Sequence, residues 1–403
     1  MTLAPARTGA PAVPPTPPGL RPLGRWGFAA VVVASFGGPL ALAALYAPQA
    51  VDEVTSSAGL VALAAAVLFV APLAVWVRYA RVVPGAGGLY GFVREAAGAR
   101  TATVQAVLWT TSYLLYLVYT TAYVVYDVLP EVVPRVARYR SLLEVVLPVV
   151  IAAVVVAGRR VTIATIAAIA IAQVSLVALL DVVAARHGTT STAFAGHGQP
   201  HATAVAAGSI ALLFVCGSLP LFFGGEVVRP RRSMPRLLPA VFAATAVAVV
   251  VAVLPMALDP AFTHAEIPGM ALVRADVGRT AADAIGLGVA ASVVGLMLVE
   301  YLALTRLLYA VTGRAPQRIA WWLAVPLVAA GPISLINPYR FYADLLKPSL
   351  VALWLSQLIV VAVYPLFARR QGSRLVPHVA LGTVASGVMV FGLWTTLSSS
   401  VAT

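Results

Sequence analysis

Two segments of this chain place small, ring-closed and hydroxyl- or thiol-bearing residues in the middle of long apolar runs: Ser35-Phe36-Gly37-Gly38-Pro39 and Cys216-Gly217-Ser218-Leu219-Pro220. Glycine has no Cβ and proline no amide hydrogen, so each cluster is expected to interrupt a helix and free backbone N–H and C=O groups. Inside a bilayer lipid cannot satisfy such groups, so a cavity or a ligand must. Bare N–H groups at a helix N-terminus suit a carboxylate, and unwound carbonyls suit an ammonium group or a cation. A zwitterion fits both. Ser35, Gly37, Gly38, Cys216, Gly217 and Ser218 are therefore candidate solute contacts. The plainer reading is that Gly and Pro are common in membrane helices and only pack there.

The elements that must position these residues follow from composition. Of 403 residues 61% are hydrophobic and 10% charged, with a mean hydropathy of +0.94, which excludes a water-soluble domain. Apolar stretches long enough to cross a bilayer, each at least about 17 residues, occupy 26–48, 55–77, 103–126, 142–158, 161–184, 203–228, 237–257, 281–305, 320–337, 348–367 and 375–397. They predict an all-α integral membrane protein with about eleven transmembrane helices. Residues 1–24 hold seven prolines and read as a disordered tail, with 25–403 as a single transmembrane domain. A signal peptide is not expected, because the first apolar stretch is too long and ends at Tyr46-Ala47-Pro48 without a small-x-small site.

The net charge of +13 has a topological explanation. Arginines gather in small groups, such as Arg78 and Arg81, Arg159 and Arg160, or Arg229, Arg231 and Arg232, in loops on the same side as the tail. Asp52, Glu53, Asp127 and Glu131 fall on the opposite side. The positive-inside rule then puts the N-terminus in the cytoplasm of a multi-pass cell-membrane protein. It explains the arginines better than nucleic acid does, so the expected partners are a small-molecule substrate and the lipid bilayer, with no nucleic acid. The oligomeric state stays open. Cys216 is the only cysteine, which excludes an intrachain disulfide and a multi-cysteine metal site.

This orientation makes residues 26–184 and 203–367 two copies of opposite sense, each led by an interrupted helix, with 375–397 as an extra helix. At 1.5 Å per residue Gly37 lies about 16 Å into its stretch and Cys216 about 20 Å into its own, both near the midplane of a roughly 30 Å core.

Three further segments carry a resemblance. Gly87-Gly88-Leu89-Tyr90 precedes a short amphipathic stretch. Phe223-Gly224-Gly225-Glu226 is followed by Arg229-Pro230-Arg231-Arg232-Ser233-Met234-Pro235-Arg236, and Thr305-Arg306-Leu307-Leu308-Tyr309-Ala310 ends the eighth stretch. In order and spacing they resemble the amino acid-polyamine-organocation (APC) superfamily of permeases. Two departures stand out: only Val227, Val228 and Arg229 separate Glu226 from Pro230, and there are eleven stretches where the family commonly has twelve. The resemblance implies a 5+5 inverted-repeat (LeuT-like) transporter fold with broken helices 1 and 6. It further implies a secondary active transporter for an amino acid or related small organic amine or zwitterion, working by alternating access with no cofactor and no enzymatic activity. H+ or Na+ would be the coupling ion. The alternative is a non-transporting sensor or scaffold with a permease fold; an intramembrane enzyme is a further one, although the acids are scattered and gather no reacting group.

On the third stretch Trp109, Tyr113, Tyr116, Tyr119, Thr120, Tyr123 and Tyr126 share one helical face, which should look into the protein because hydroxyls find no partner in lipid. Tyr113 and Tyr116, near mid-depth, are candidate substrate contacts, while Tyr123 and Tyr126 read as interfacial. Glu226 and Glu300 lie near the inner ends of their stretches and read as gating residues or ion-pair partners of loop arginines. Glu144 sits at an outer end, close to water. Sodium-coupled relatives imply an ion between the first break and hydroxyls of the eighth stretch, where Ser292 is the mid-depth candidate; no other metal ligand is expected.

Overall fold

The computed structural model describes residues 22–83, 85, 87–196 and 199–398. The expected tail lies outside them up to residue 21. Its last part does not stay free: Leu23 is buried and forms a parallel β-bridge with Val227, donating its N–H to the Glu226 carbonyl at 2.5 Å.

Eleven long helical segments follow: α1 (Arg25–Ala50), α2 (Asp52–Val82), α3 (Ala99–Val132), α4 (Pro134–Val156), α5 (Arg159–His187), α6 (Pro200–Phe223), α7 (Pro230–Ala257), α8 (Arg279–Thr312), α9 (Pro316–Ser334), α10 (Pro338–Arg370) and α11 (Leu375–Ser398). Among the described residues ten of them are long and apolar enough to cross a membrane; α9 is the exception. Gln317, Arg318, Trp321, Trp322 and two internal prolines dilute its hydropathy. Yet α9 packs along α4 and α8 as part of the bundle. Large apolar side chains such as Val67, Ile171, Val247 and Val325 point outward, as an all-α multi-pass membrane protein requires of its lipid-facing surface.

Burial sorts the helices. The most apolar stretches of α1, α6 and α8 are 89%, 78% and 83% buried, against 28% for α4, α5 and α11. The interrupted helices are therefore central. Around them α2 packs along α7, α4 along α9, α3 along α10, and α5 along α8.

The two interruptions differ in kind. In α1 the helix stops at Ser35, Gly37 and Gly38 adopt φ of 67° and 59°, and helix resumes at Pro39. Such φ values strain any residue with a Cβ, which explains the glycine pair. In α6 no unwinding occurs: Val215–Phe223 tightens into nine residues of 3-10 helix, with Pro220 inside it. The expected break in α6 is thus a change of pitch. Gly217 is absent from the positive-φ glycines, so its missing Cβ serves close approach instead.

Candidate functional site

The sequence-predicted glycines meet each other's helices. A Cβ on Gly37 would touch the Leu213 carbonyl of α6 at 3.2 Å. One on Gly38 would overlap the Ser292 hydroxyl of α8, and one on Gly217 would overlap the Phe36 ring of α1. These three positions bring α1, α6 and α8 into contact at the interruptions. Ser35 is buried beside them and donates its hydroxyl back to the Val32 carbonyl at 2.7 Å. The Ser292 hydroxyl is engaged by protein on two sides, donating to Gln173 Oε1 at 2.8 Å and accepting the Ala41 N–H at 3.3 Å.

A second group of polar atoms lies along α6, α3, α10 and α8. Ser218 accepts a hydrogen bond from Gln357 Nε2 at 3.1 Å, and Gln357 Oε1 has no partner among the described residues. The Tyr113 hydroxyl approaches Cys216 and Ser218 and stays short of a full hydrogen bond. Glu300 is fully buried, and among the described residues neither carboxyl oxygen has a hydrogen-bond partner. Its charge would be felt by Tyr113, Tyr116 and Cys216. Buried polar groups are normally paired, so this concentration of unpaired ones calls for an explanation.

Glu300 does not lie at a helix end. Because α8 continues to Thr312, Glu300 stands twelve residues, about 18 Å, inside that end. The expected end near residue 305 fails because Arg306 is no loop residue. It is buried in α8, and its guanidinium is neutralised across the bundle.

Aromatic rings connect this group to a cavity. Phe222, Trp109, Tyr113, Tyr116 and Tyr119 follow one another at centroid distances of 4.3, 4.2, 6.5 and 5.3 Å. Tyr342 of α10 then stacks on Tyr123 at 5.6 Å, and Tyr123 on Tyr46 at 6.0 Å. Tyr116, Tyr119, Tyr123, Tyr46 and Tyr342, with Ser209 and Leu213, line a cavity of about 200 Å³. That is below the roughly 300–1,000 Å³ of drug-sized pockets and suits a solute of a few heavy atoms. Tyr123, expected at the interface, is a wall of this cavity. Tyr342 and Tyr46 escaped the sequence reading, although Tyr342, Leu346 and Leu350 recur every four residues on one helical face.

At the arginine-rich end the three resemblance segments converge. Gly87 sits against Ala310, and Gly88 against the Phe222 ring and backbone. Glu226 accepts hydrogen bonds from Arg306 Nε at 2.6 Å and Nη2 at 3.4 Å, and pairs with Arg159 at 3.2 Å. Arg306 also lies 5.8 Å from the Phe223 ring centroid. Glu226 is thus an ion-pair centre whose partners come from α5 and α8, with its own backbone tied to Leu23. Glu144, expected near water, is buried and accepts the Ser334 hydroxyl at 2.6 Å. It joins α4 to α9.

No protein-family model and no curated protein matches this chain. The structure by itself defines the class: an all-α multi-pass membrane protein. Its interior holds an interrupted helix, a 3-10 turn and a group of unpaired polar side chains beneath an aromatic cavity.

Proposed function

We propose that the chain is a secondary active transporter for a small organic amine, amino acid or related zwitterion, working by alternating access. The observation that carries this reading is the meeting of the α1 interruption, the α6 3-10 segment and the α8 carboxyl next to a tyrosine-lined cavity. Interrupted helices at mid-depth are tolerated where the irregular backbone lines a binding site. The order of helix contacts supports a 5+5 inverted repeat. If α1–α5 and α6–α10 are equivalent, the pairs α2–α7 and α4–α9 are each their own counterpart, and α3–α10 exchanges with α5–α8. The resemblance of the three convergent segments to the amino acid-polyamine-organocation permeases points the same way.

The arginine-rich end also has the composition of a gate. Cavity and unpaired groups are separated from the arginine-rich face by Phe222, Trp109 and the Gly87-Gly88 turn, behind which lies the Glu226 ion pair. Rocking one bundle against the other would open that end and close the tyrosine-lined one. The sensor or scaffold alternative needs the same binding site and differs in having no transport cycle.

Uptake into proteoliposomes tests the reading, with labelled amino acids and amines supplied under a proton gradient and then a sodium gradient. Accumulation of at least one solute is expected. No accumulation, together with no ligand-induced rise in melting temperature across the panel, overturns it.

A further inference from the structure

We infer that Glu300 is a shared seat for a proton and an organic ammonium ion, so that binding of an amine at this site displaces a proton. The inference rests on the transport reading for its solute class and goes beyond it in naming the charged group and the exchange.

Glu300 has no solvent exposure and no hydrogen bond to either oxygen. A lone carboxylate in such a place is very costly, so its charge is met by a proton or by a cation. Among the described residues no cationic side chain pairs with it. Arg306, six residues further along α8, points about 240° around the helix and is held by Glu226 at 2.6 Å. The titratable groups that face Glu300 are Tyr113, Tyr116 and Tyr119 from α3, Cys216 from α6 and Tyr46 from α1. Helices α4, α5 and α9 and the short helix Pro268–Asp276 pack on the same helix, and among the described residues no ionisable group of theirs acts on Glu300. Without a ligand the group therefore holds its proton.

The same surroundings fit an ammonium ion. Trp109, Tyr113 and Tyr116 present aromatic rings in series, and ring faces attract cations more strongly once water is excluded. The Tyr113 hydroxyl and Gln357 Oε1 are unpaired acceptors for ammonium N–H groups. The α1 interruption, by contrast, has less to offer a carboxylate, because the Ala41 N–H is already taken by Ser292. The balance favours a net-cationic amine over a zwitterion. In the exchange the Glu300 O–H bond breaks, its proton passes to bulk water, and the carboxylate oxygens accept N–H bonds from the incoming ammonium. Charge in the site is the same before and after.

The test uses purified full-length protein in nanodiscs, with n-butylamine, butyrate and the zwitterion norvaline as probes. Affinity is measured between about pH 5 and about pH 9, and proton release is followed in weak buffer. The expected result is binding of butylamine in preference to butyrate and norvaline. Its affinity should rise by up to about tenfold per pH unit while Glu300 is protonated, with one proton released per amine. Glu300→Gln should lose the proton release and the pH dependence while melting near the wild-type temperature. Should that variant fail to fold, proton release by the wild type decides alone. Amine binding without proton release, binding unchanged in Glu300→Gln, or no amine binding at all overturns the inference. The two readings fail separately. Proton-linked amine binding without vesicle uptake removes the transport reading only, and uptake that is insensitive to pH and to Glu300→Gln removes the proton exchange only.

Discussion

The ring of Phe36 occupies the space that a side chain at Gly217 would need. The α1 interruption and the α6 3-10 segment are thereby one contact. Phe36 is fully buried and also meets Phe242 at 5.9 Å, so the ring has little room to move. Gly217→Ala is expected to destabilise the protein by about 1–3 kcal/mol through overpacking. In a Phe36→Ala background the same change should cost little, because the obstacle is gone. A double-mutant cycle on chemical or thermal unfolding checks this, and additive effects would show that the two residues do not meet.

At the arginine-rich end the Glu226–Arg306 pair is buried on both sides. Removing one partner leaves an unmatched charge in a low-dielectric place. Arg306→Ala should therefore cost about 3–5 kcal/mol, while Arg159→Ala, whose side chain is partly exposed, should cost less. Arg306→Lys is expected to be a poor substitute, because one ammonium cannot reproduce the two guanidinium contacts with Glu226. Yield and melting temperature of the three variants test this order.

Gly38 and Ser292 join α1 to α8. Ser292→Ala leaves Gln173 Oε1 and the Ala41 N–H without partners, at an expected cost of about 1–3 kcal/mol. Gly38→Ala is strained for two reasons, the overlap with Ser292 and a φ of 59°. Ser292→Ala removes the hydroxyl but leaves the backbone carbonyl of residue 292 at 3.0 Å from the added Cβ and leaves the φ as it is, so the double variant should recover part of the loss at most, as melting curves would show. Full recovery would mean that the backbone at Gly38 is not held in the left-handed region.

What the sequence discloses of this fold is mainly length and apolarity. The bounds expected for α11, 375–397, differ by one residue from those observed, because nothing but apolar length decides them. Arg306 defeated the same logic. A charge in an apolar run reads as a loop until its partner eighty residues away is known, and that error moved Glu300 toward the surface. Gly217 and Pro220 were legible as an irregularity but not as its kind, since both unwinding and 3-10 tightening accept them. Gln357 and Tyr342 were hidden for a different reason. Each sits on α10, and only the packing of α10 along α3 brings them to the site.

Tyr342 provides the last prediction, because it separates the cavity from the fold. It stacks on Tyr123 at 5.6 Å and meets Tyr119 edge-on at 5.3 Å, yet it is only half-buried and none of the resolved hydrogen bonds involves its hydroxyl. A residue so placed contributes modest packing, about 0.5–1.5 kcal/mol per aromatic pair, and forms a large part of the cavity wall. Tyr342→Ala is expected to lower the melting temperature by a few degrees and to raise the solute concentration for half-maximal uptake about tenfold or more. Tyr342→Phe should keep both near the wild type, since it preserves the ring. Tyr139 is a fair control, being an aromatic that stands exposed away from the cavity. Its replacement by alanine should leave uptake unchanged. Equal effects at Tyr342 and Tyr139 would show that the cavity is not on the solute's path.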